Sequence, residues 1–215
     1  MREVKFQSGE YYHIYNRGVD KREIFMDERD FVRFLRSMRE FNCVKATGGL
    51  HLINQSNKGT ESLNFRDSVP LIELICYCLL PNHYHFILKQ LIGNGVSEFI
   101  KRLATGYTTY FNQRYDRSGV LFQGPFKAIH IATDEYSLWL SGYVNGNIEI
   151  HKIAKADSWP WSSCKDYLGL RNGMLCNKNI ILKGFENLND YQEFVNMVIK
   201  ESGERKDEIK NYFLE

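Results

Sequence analysis

Apolar positions recur with two periods along the first 150 residues and divide that stretch into seven elements. Alternating apolar residues predict strands over residues 11–16, 71–80, 83–89 and 120–133, the last one interrupted at Gly124-Pro125. Apolar residues spaced by three or four predict helices over residues 28–41 and 96–115, and a third helix that Thr133 or Asp134 caps. This β-α-β-β-α-β-α order predicts an α+β fold, a ferredoxin-like sandwich with helices packed on an antiparallel sheet.

The segments outside these seven elements differ in character. Residues 44–68 are polar and include Gly48-Gly49, which indicates an insertion, while Pro81-Asn82 indicates a tight hairpin turn. Residues 157–167 form an aromatic-rich segment, and helical patterns follow at 190–200 and 206–213. We therefore expect one domain over residues 1–170 and a helical C-terminal extension over residues 171–215.

Composition narrows the class of protein. The 215 residues are 43% hydrophobic and 25% charged, as in soluble globular proteins, and no apolar run has membrane-spanning length. The first residues lack a signal-peptide core, and the five cysteines are odd in number, so we expect a cytoplasmic protein in a reducing compartment, with no membrane partner. A net charge of +2 does not identify a nucleic-acid binder by itself.

Two histidines stand out in the segment CYCLLPNHYHFIL. In a strand His83 and His85 point to the same face, whereas Tyr84 points to the opposite face with the apolar residues that follow. Two imidazoles on one face have the geometry of metal ligands. The alternative is that both histidines are exposed polar positions on a half-buried sheet.

The third predicted helix carries a second candidate pair. Tyr143 and Asn147 are four residues apart and therefore share a helix face. Gly142 and Gly146 flank them, and each glycine costs a helix about 1 kcal/mol relative to alanine. Close approach of a ligand, a helix that shifts, or a helix end near Gly146 would each explain the glycines. Taken alone, Tyr143 is better explained as an ordinary core or surface tyrosine.

Five segments together resemble a known family. They are, in chain order, YYHIYNRG, CYCLLPNHYHFIL, YTTYFNQRYDRSGVLFQGPFKA, ATDEYSLWLSGYVNGN and SWPWSSCKDYLG. In this order and spacing they resemble the single-tyrosine transposases of the HUH superfamily, in particular the REP-associated tyrosine transposases, which are similar to insertion-sequence-200-like transposases. The resemblance covers residues 11–169.

The resemblance implies a DNA transposase that cleaves and rejoins single-stranded DNA. It implies that His83, His85 and Asn147 bind Mg²⁺ or Mn²⁺ and that Tyr143 is the nucleophile, which forms a 5′-phosphotyrosine intermediate. Such ligation leaves open positions at the metal for oxygens of the scissile phosphate. The expected partner is single-stranded DNA with a hairpin or palindromic repeat, bound by a monomer or a homodimer.

Basic residues could neutralise the phosphates of such a strand. The candidates are Arg17, Lys21, Arg22, Lys101, Arg102, Arg114, Arg117 and Lys127. The alternative is that these residues only solvate helix and loop surfaces.

Two rival functions remain open. One is a zinc-stabilised binding module, because Cys76 and Cys78 precede the histidines and a two-residue turn would place Cys78 opposite His85. Cys76 would then pair with Ile87, which is too far along the strand for Cys76 to join the other ligands easily in a tetrahedral zinc site. The other rival is a domesticated DNA-binding protein that keeps the fold without the cleavage reaction.

Overall fold

The structure is a computed structural model that describes residues 4–44 and 69–212, with side chains described up to residue 204. The predicted polar insertion lies outside this range from residue 45 onward. Within the described ranges, no helix is both long and apolar enough to cross a membrane.

Four strands and six α-helices make up the described fold. The strands are β1 (Tyr11–Arg17), β2 (Ile72–Leu80), β3 (His83–Gln90) and β4 (Lys127–Ile131). The helices are α1 (Glu28–Glu40), α2 (Gly95–Arg114), α3 (Asp134–Ile150), α4 (Cys164–Tyr167), α5 (Asn179–Leu182) and α6 (Leu188–Tyr212), with a 3₁₀ turn at Val19–Lys21. All neighbouring strands are antiparallel in the order β2-β3-β1-β4. The α+β prediction, with helices packed on an antiparallel sheet, is confirmed.

The pleat of the sheet separates two cores. Tyr84, Phe86 and Leu88 of β3 belong to the core beneath α1 and α2. Ile87 belongs to the second core, on the opposite face, which α3 and α6 cover. His83 and His85 share the parity of Ile87, so both histidines lie on the face that α3 covers.

Only two residues separate the end of β4 from the start of helix α3. The Thr133 hydroxyl accepts a hydrogen bond from the Tyr136 amide at 3.1 Å, and Asp134 and Glu135 occupy the first turn near the positive end of the helix dipole. The predicted cap is confirmed. Because only Ala132 and Thr133 connect the two elements, α3 is held against the sheet of its own chain.

Two predicted elements differ from the structure. The strand over residues 120–133 shortens to β4, because Gly124 adopts a φ of +67° and Pro125 has no amide to donate, so only an isolated Gly18–Phe122 bridge forms upstream. The two C-terminal helices are one continuous helix, α6. Gly203 lies within it, and because a single glycine costs a helix only about 1 kcal/mol relative to alanine, the helix continues through this position.

The glycines of α3 have a packing role. A Cβ at Gly146 would lie 2.5 Å from Cγ1 of Ile199, and a Cβ at Gly142 would lie 3.0 Å from Cγ2 of Val198. Both contacts are with α6, and α3 continues to Ile150. The glycines therefore allow α6 to pack closely on α3, and the idea that the helix ends near Gly146 is wrong.

Candidate metal and nucleophile site

The hairpin of β2 and β3 places the two histidines near the centre of the sheet. Leu80 pairs with His83, so Pro81-Asn82 is a two-residue turn, as predicted. On the other side of β3, Tyr15 pairs with His85 and Arg17 pairs with His83. The histidines consequently lie between two neighbouring strands that limit their movement.

Helix α3 and its C-terminal cap place three residues at four-residue intervals near this histidine pair. The ring of Tyr143 lies 5.9 Å from the ring of His85, and the ring of His151 lies 4.8 Å from the ring of His83. Asn147 lies one turn from both Tyr143 and His151 on the same helix face. Along the helix, Asn147 therefore lies between the contact with His85 and the contact with His83.

The Asn147 side chain is buried without a hydrogen-bond partner for either its oxygen or its nitrogen. A buried polar group without a partner costs about 1–3 kcal/mol, so such a group usually has another role. An amide oxygen combined with two imidazoles is a donor set that suits a divalent cation such as Mn²⁺. The residues fit the metal that the resemblance implies.

Tyr143 is half-buried among aromatic rings. The indole of Trp139 stacks on it at 5.5 Å between centroids and 13° between planes, and His13 meets it edge to face at 6.5 Å. Burial raises the pKa of the Tyr143 hydroxyl. The Asn147 side chain is close enough to lower that pKa in part, although the two groups lack the geometry of a hydrogen bond. The hydroxyl is protonated at neutral pH.

His13 is a site residue that the sequence reasoning missed. Its Nε2 lies 2.9 Å from Nδ1 of His85, while its own Nδ1 is buried without a partner. Burial lowers the pKa of His13 to about 4, so the ring is neutral at pH 7. The alternation in YYHIYN puts His13 and Tyr15 on one face, but the pairing of β1 with β3 cannot be read from the sequence.

His151 is a second residue that sequence reasoning missed. It lies four residues after Asn147, and that spacing was the available signal. His151 also lines a cleft of about 510 Å³ next to the histidine pair. The other lining residues are Tyr15, Asn16, Arg17, Lys21, Asn82, His83, His85, Gln123 and Lys127.

The cleft is cationic. Arg17, Lys21 and Lys127, three of the predicted DNA-binding residues, contribute to its wall. None of the described residues that line it carries a carboxylate. Such a surface attracts anions such as a phosphodiester. Tyr143 is not part of the lining and lies against His85 instead.

The other predicted DNA contacts lie away from this cleft. Helix α2 packs on the opposite face of the sheet, and it carries Lys101, Arg102 and Arg114. Arg102 donates to the Cys43 carbonyl at 2.6 Å, and Arg114 forms a 2.7 Å ion pair with the fully buried Asp30. These two arginines therefore make contacts within the folded chain.

Arg22 and Arg117 do not line the cleft either. Arg22 is exposed after the 3₁₀ turn, and Arg117 donates to the Asn112 side chain at 2.7 Å. A role of Arg22, Lys101, Arg102, Arg114 and Arg117 in DNA binding stays a prediction.

The cysteines have the predicted register and do not form a metal site. Cys78 pairs with His85 and Cys76 pairs with Ile87. Both thiols are buried, and burial raises the pKa of each. Among the residues that the structure describes, no three His, Cys, Asp or Glu side chains are arranged to hold a metal ion. The zinc-module interpretation therefore has no support in the described part of the chain.

Comparisons with known proteins find similarity among solved structures. No protein-family model matches the chain, and no curated protein matches it. A REP-associated tyrosine transposase bound to a REP hairpin is similar with a TM-score of 0.48 and 15% identity, over 79% of this chain and 86% of that chain. A candidate transposase from Deinococcus radiodurans R1 is similar with a TM-score of 0.36 and 13% identity, over 67% of this chain and 95% of that chain. Neither similarity assigns roles to residues.

Proposed function

We propose that this chain is a single-tyrosine DNA transposase that cuts and rejoins single-stranded DNA. The observation that carries the proposal is the position of α3, which brings Tyr143 against His85. The buried, unpartnered Asn147 amide lies along the helix between this contact and the contact of His151 with His83. All of these residues belong to one chain, so we propose that a single subunit can form the site.

The cleft next to the histidines suits one phosphodiester of a DNA strand. Arg17, Lys21 and Lys127 would neutralise phosphate oxygens. None of the described residues that line the cleft carries a carboxylate that would repel a phosphate. The cleft volume falls in the range that accommodates small ligands, so a nucleotide unit fits. A base could stack on the ring of Tyr15, which also lines the cleft.

His83, His85 and Asn147 would hold Mg²⁺ or Mn²⁺ through two imidazole nitrogens and the amide oxygen. A bound cation would polarise the scissile phosphate and stabilise its charge in the transition state. The chain itself orients the ligands, since β3 fixes the histidines and α3 fixes the amide.

Tyr143 would act as the nucleophile. Its oxygen forms a bond to phosphorus while the bond from phosphorus to the 3′-oxygen breaks, so one ester replaces another. The tyrosine releases its proton during the attack and the 3′-oxygen takes up a proton, with no net change. The raised pKa of the hydroxyl means that deprotonation accompanies the attack. A second 3′-hydroxyl can reverse the step and join new ends.

The DNA partner follows from the five family-like segments. REP-associated tyrosine transposases act on single strands folded into hairpins, so we propose hairpin or palindromic DNA as the substrate. The domesticated-binder alternative shares this partner and differs only in lacking the covalent step.

The proposal is tested by trapping the covalent intermediate. A hairpin oligonucleotide designed from the DNA that flanks the gene is incubated with protein and Mn²⁺, and the mixture is then denatured in SDS. A 3′-end label should remain on the protein, because a 5′-phosphotyrosine retains the 3′ fragment, and EDTA should prevent the adduct. A 5′-end label on the protein would contradict the proposed polarity. Specific binding without any adduct would instead identify a non-cleaving DNA-binding protein.

A further inference from the structure

The turn between β1 and α1 is joined to the hairpin that precedes His83. The amide of Gly18 donates to the Asn82 carbonyl at 2.8 Å. The amides of Ile24 and Phe25 donate to the Pro81 carbonyl at 2.8 and 3.0 Å. The two turns therefore form one rigid unit beside the cleft.

This unit holds the backbone in a conformation that its residues disfavour. Asp20 and Lys21 have φ values of 54° and 58°, in the left-handed region where residues other than glycine are uncommon. A Cβ at Gly18 would lie 2.3 Å from the Arg22 carbonyl oxygen, so only glycine fits there. Strained backbone of this kind persists where surrounding contacts hold it, and it is frequent at functional sites.

One consequence of the strained turn is the position of the Lys21 carbonyl. This carbonyl accepts a hydrogen bond from Nδ2 of Asn82 at 3.1 Å. That bond fixes which end of the amide faces His83, and Oδ1 of Asn82 then lies 2.6 Å from Nδ1 of His83. Because an amide oxygen only accepts hydrogen bonds, Nδ1 carries the proton and the lone pair is on Nε2.

We propose that Asn82 is a positioning residue for His83, and that the Lys21 carbonyl fixes the Asn82 amide for this purpose. The three groups form a relay, from the Lys21 carbonyl through the Asn82 amide to the His83 imidazole. The relay sets the tautomer and the ring orientation that metal binding through Nε2 requires. This inference rests on the proposed function for its purpose, but the tautomer itself can be measured without metal.

The relay also explains why Lys21 occupies a disfavoured conformation. Its carbonyl is turned toward Asn82 while its side chain lines the same cleft. A turn that served only to connect β1 and α1 would need neither feature.

The first measurement is the tautomer of His83 in the metal-free protein. Long-range ¹H–¹⁵N spectra of histidine-labelled protein should show the proton on Nδ1 of His83 in the wild type. In Asn82→Ala the His83 signals should shift toward the form with the proton on Nε2. Asn82→Asp retains an acceptor oxygen and should restore the wild-type tautomer. A wild-type His83 with its proton on Nε2, or an unchanged tautomer in folded Asn82→Ala, would overturn the proposal.

The second measurement is Mn²⁺ affinity, followed by electron paramagnetic resonance or calorimetry. Asn82→Ala should weaken Mn²⁺ binding about 10- to 100-fold, as for other residues that orient a metal ligand, and Asn82→Asp should recover most of the loss. Asn112→Ala is the matched control, because its side chain also bridges two groups, the Gly119 carbonyl and Arg117, and none of the three residues lines the cleft. Equal affinities of wild type and Asn82→Ala would overturn the role of Asn82.

The two proposals can fail separately. If the wild type binds no Mn²⁺ but shows the relay-dependent tautomer, the metal of the proposed function is wrong and the relay stands. If Mn²⁺ binds tightly and the tautomer does not depend on Asn82, the relay is wrong and the metal site stands.

Discussion

The ring of Tyr143 packs edge to face against the imidazole of His85, with 5.9 Å between the ring centroids and 86° between the ring planes. One residue comes from a helix and the other from a central strand of the same chain. The contact brings the candidate nucleophile next to a candidate metal ligand. It is the relationship on which the proposed chemistry depends.

His83 should be needed for metal binding and dispensable for folding. His83→Ala removes a half-exposed side chain, so the free energy of unfolding should change by less than about 1 kcal/mol. Calorimetric titration with Mn²⁺ should show little or no binding. His130→Ala is a suitable control, since His130 is exposed and pairs with Glu10 instead. Wild-type Mn²⁺ affinity in His83→Ala would rule out His83 as a ligand.

The cleft cations should matter more for single-stranded DNA than the cations of α2. Lys127→Ala removes a charge from the cleft wall, so the slope of log K against log salt concentration should fall by about 0.7. Lys101→Ala removes a charge from the opposite side of the sheet and should change the slope less. Fluorescence anisotropy over a salt series measures both. An equal or larger effect of Lys101→Ala would place the DNA path across α2.

The close packing of α6 on α3 should make Gly146 intolerant of a single methyl group. Gly146→Ala places Cβ 2.5 Å from Cγ1 of Ile199, and such overpacking costs about 1–3 kcal/mol, more than the helix propensity that alanine adds. Gly203→Ala meets no atom within 4 Å and should stabilise the protein by up to about 1 kcal/mol. Urea unfolding of both variants measures the difference. Stabilisation by Gly146→Ala would show that the two helices are not in close contact.

Much of the fold could be predicted from the spacing of apolar residues, because a strand or helix that buries one face repeats apolar residues at a characteristic interval. The alternation around Tyr84 and Phe86 and the Thr133 cap were predicted correctly. The contact of Gly146 with Ile199 could not be predicted, since it joins residues that no local pattern connects. For the same reason, no local pattern indicates that His13 lies against His85.

The roles of the basic residues could not be predicted for the same reason. A pattern of basic residues does not reveal that Arg114 pairs with the buried Asp30 while Lys127 lies beside the histidines. Charge along a chain is local information, whereas the partner of each charge depends on the tertiary fold. The candidate site residues were easier to select, because strand geometry pairs His83 with His85, helix geometry pairs Tyr143 with Asn147, and the family resemblance implies a role for each.

The buried thiols should be unreactive in the folded protein. Burial raises the pKa of Cys164 to about 12 and raises the pKa of Cys78 further, so neither thiol is ionised at pH 8. The thiol reagent DTNB should modify both only after denaturation, and prior EDTA treatment should make no difference. Rapid modification of Cys78 after EDTA treatment would indicate a thiolate that had been bound to metal, as a zinc module requires.

The covalent adduct of Tyr143 tests the central claim most directly. Wild-type protein, Mn²⁺ and the flanking hairpin DNA should give an SDS-resistant adduct, and mass spectrometry should locate the phosphorylated residue at Tyr143. Tyr143→Phe removes one oxygen and keeps the ring, so the adduct should disappear while DNA binding remains. Tyr136→Phe, two turns earlier on the same helix, should still form the adduct. An adduct that persists in Tyr143→Phe would contradict the account and place the nucleophile elsewhere.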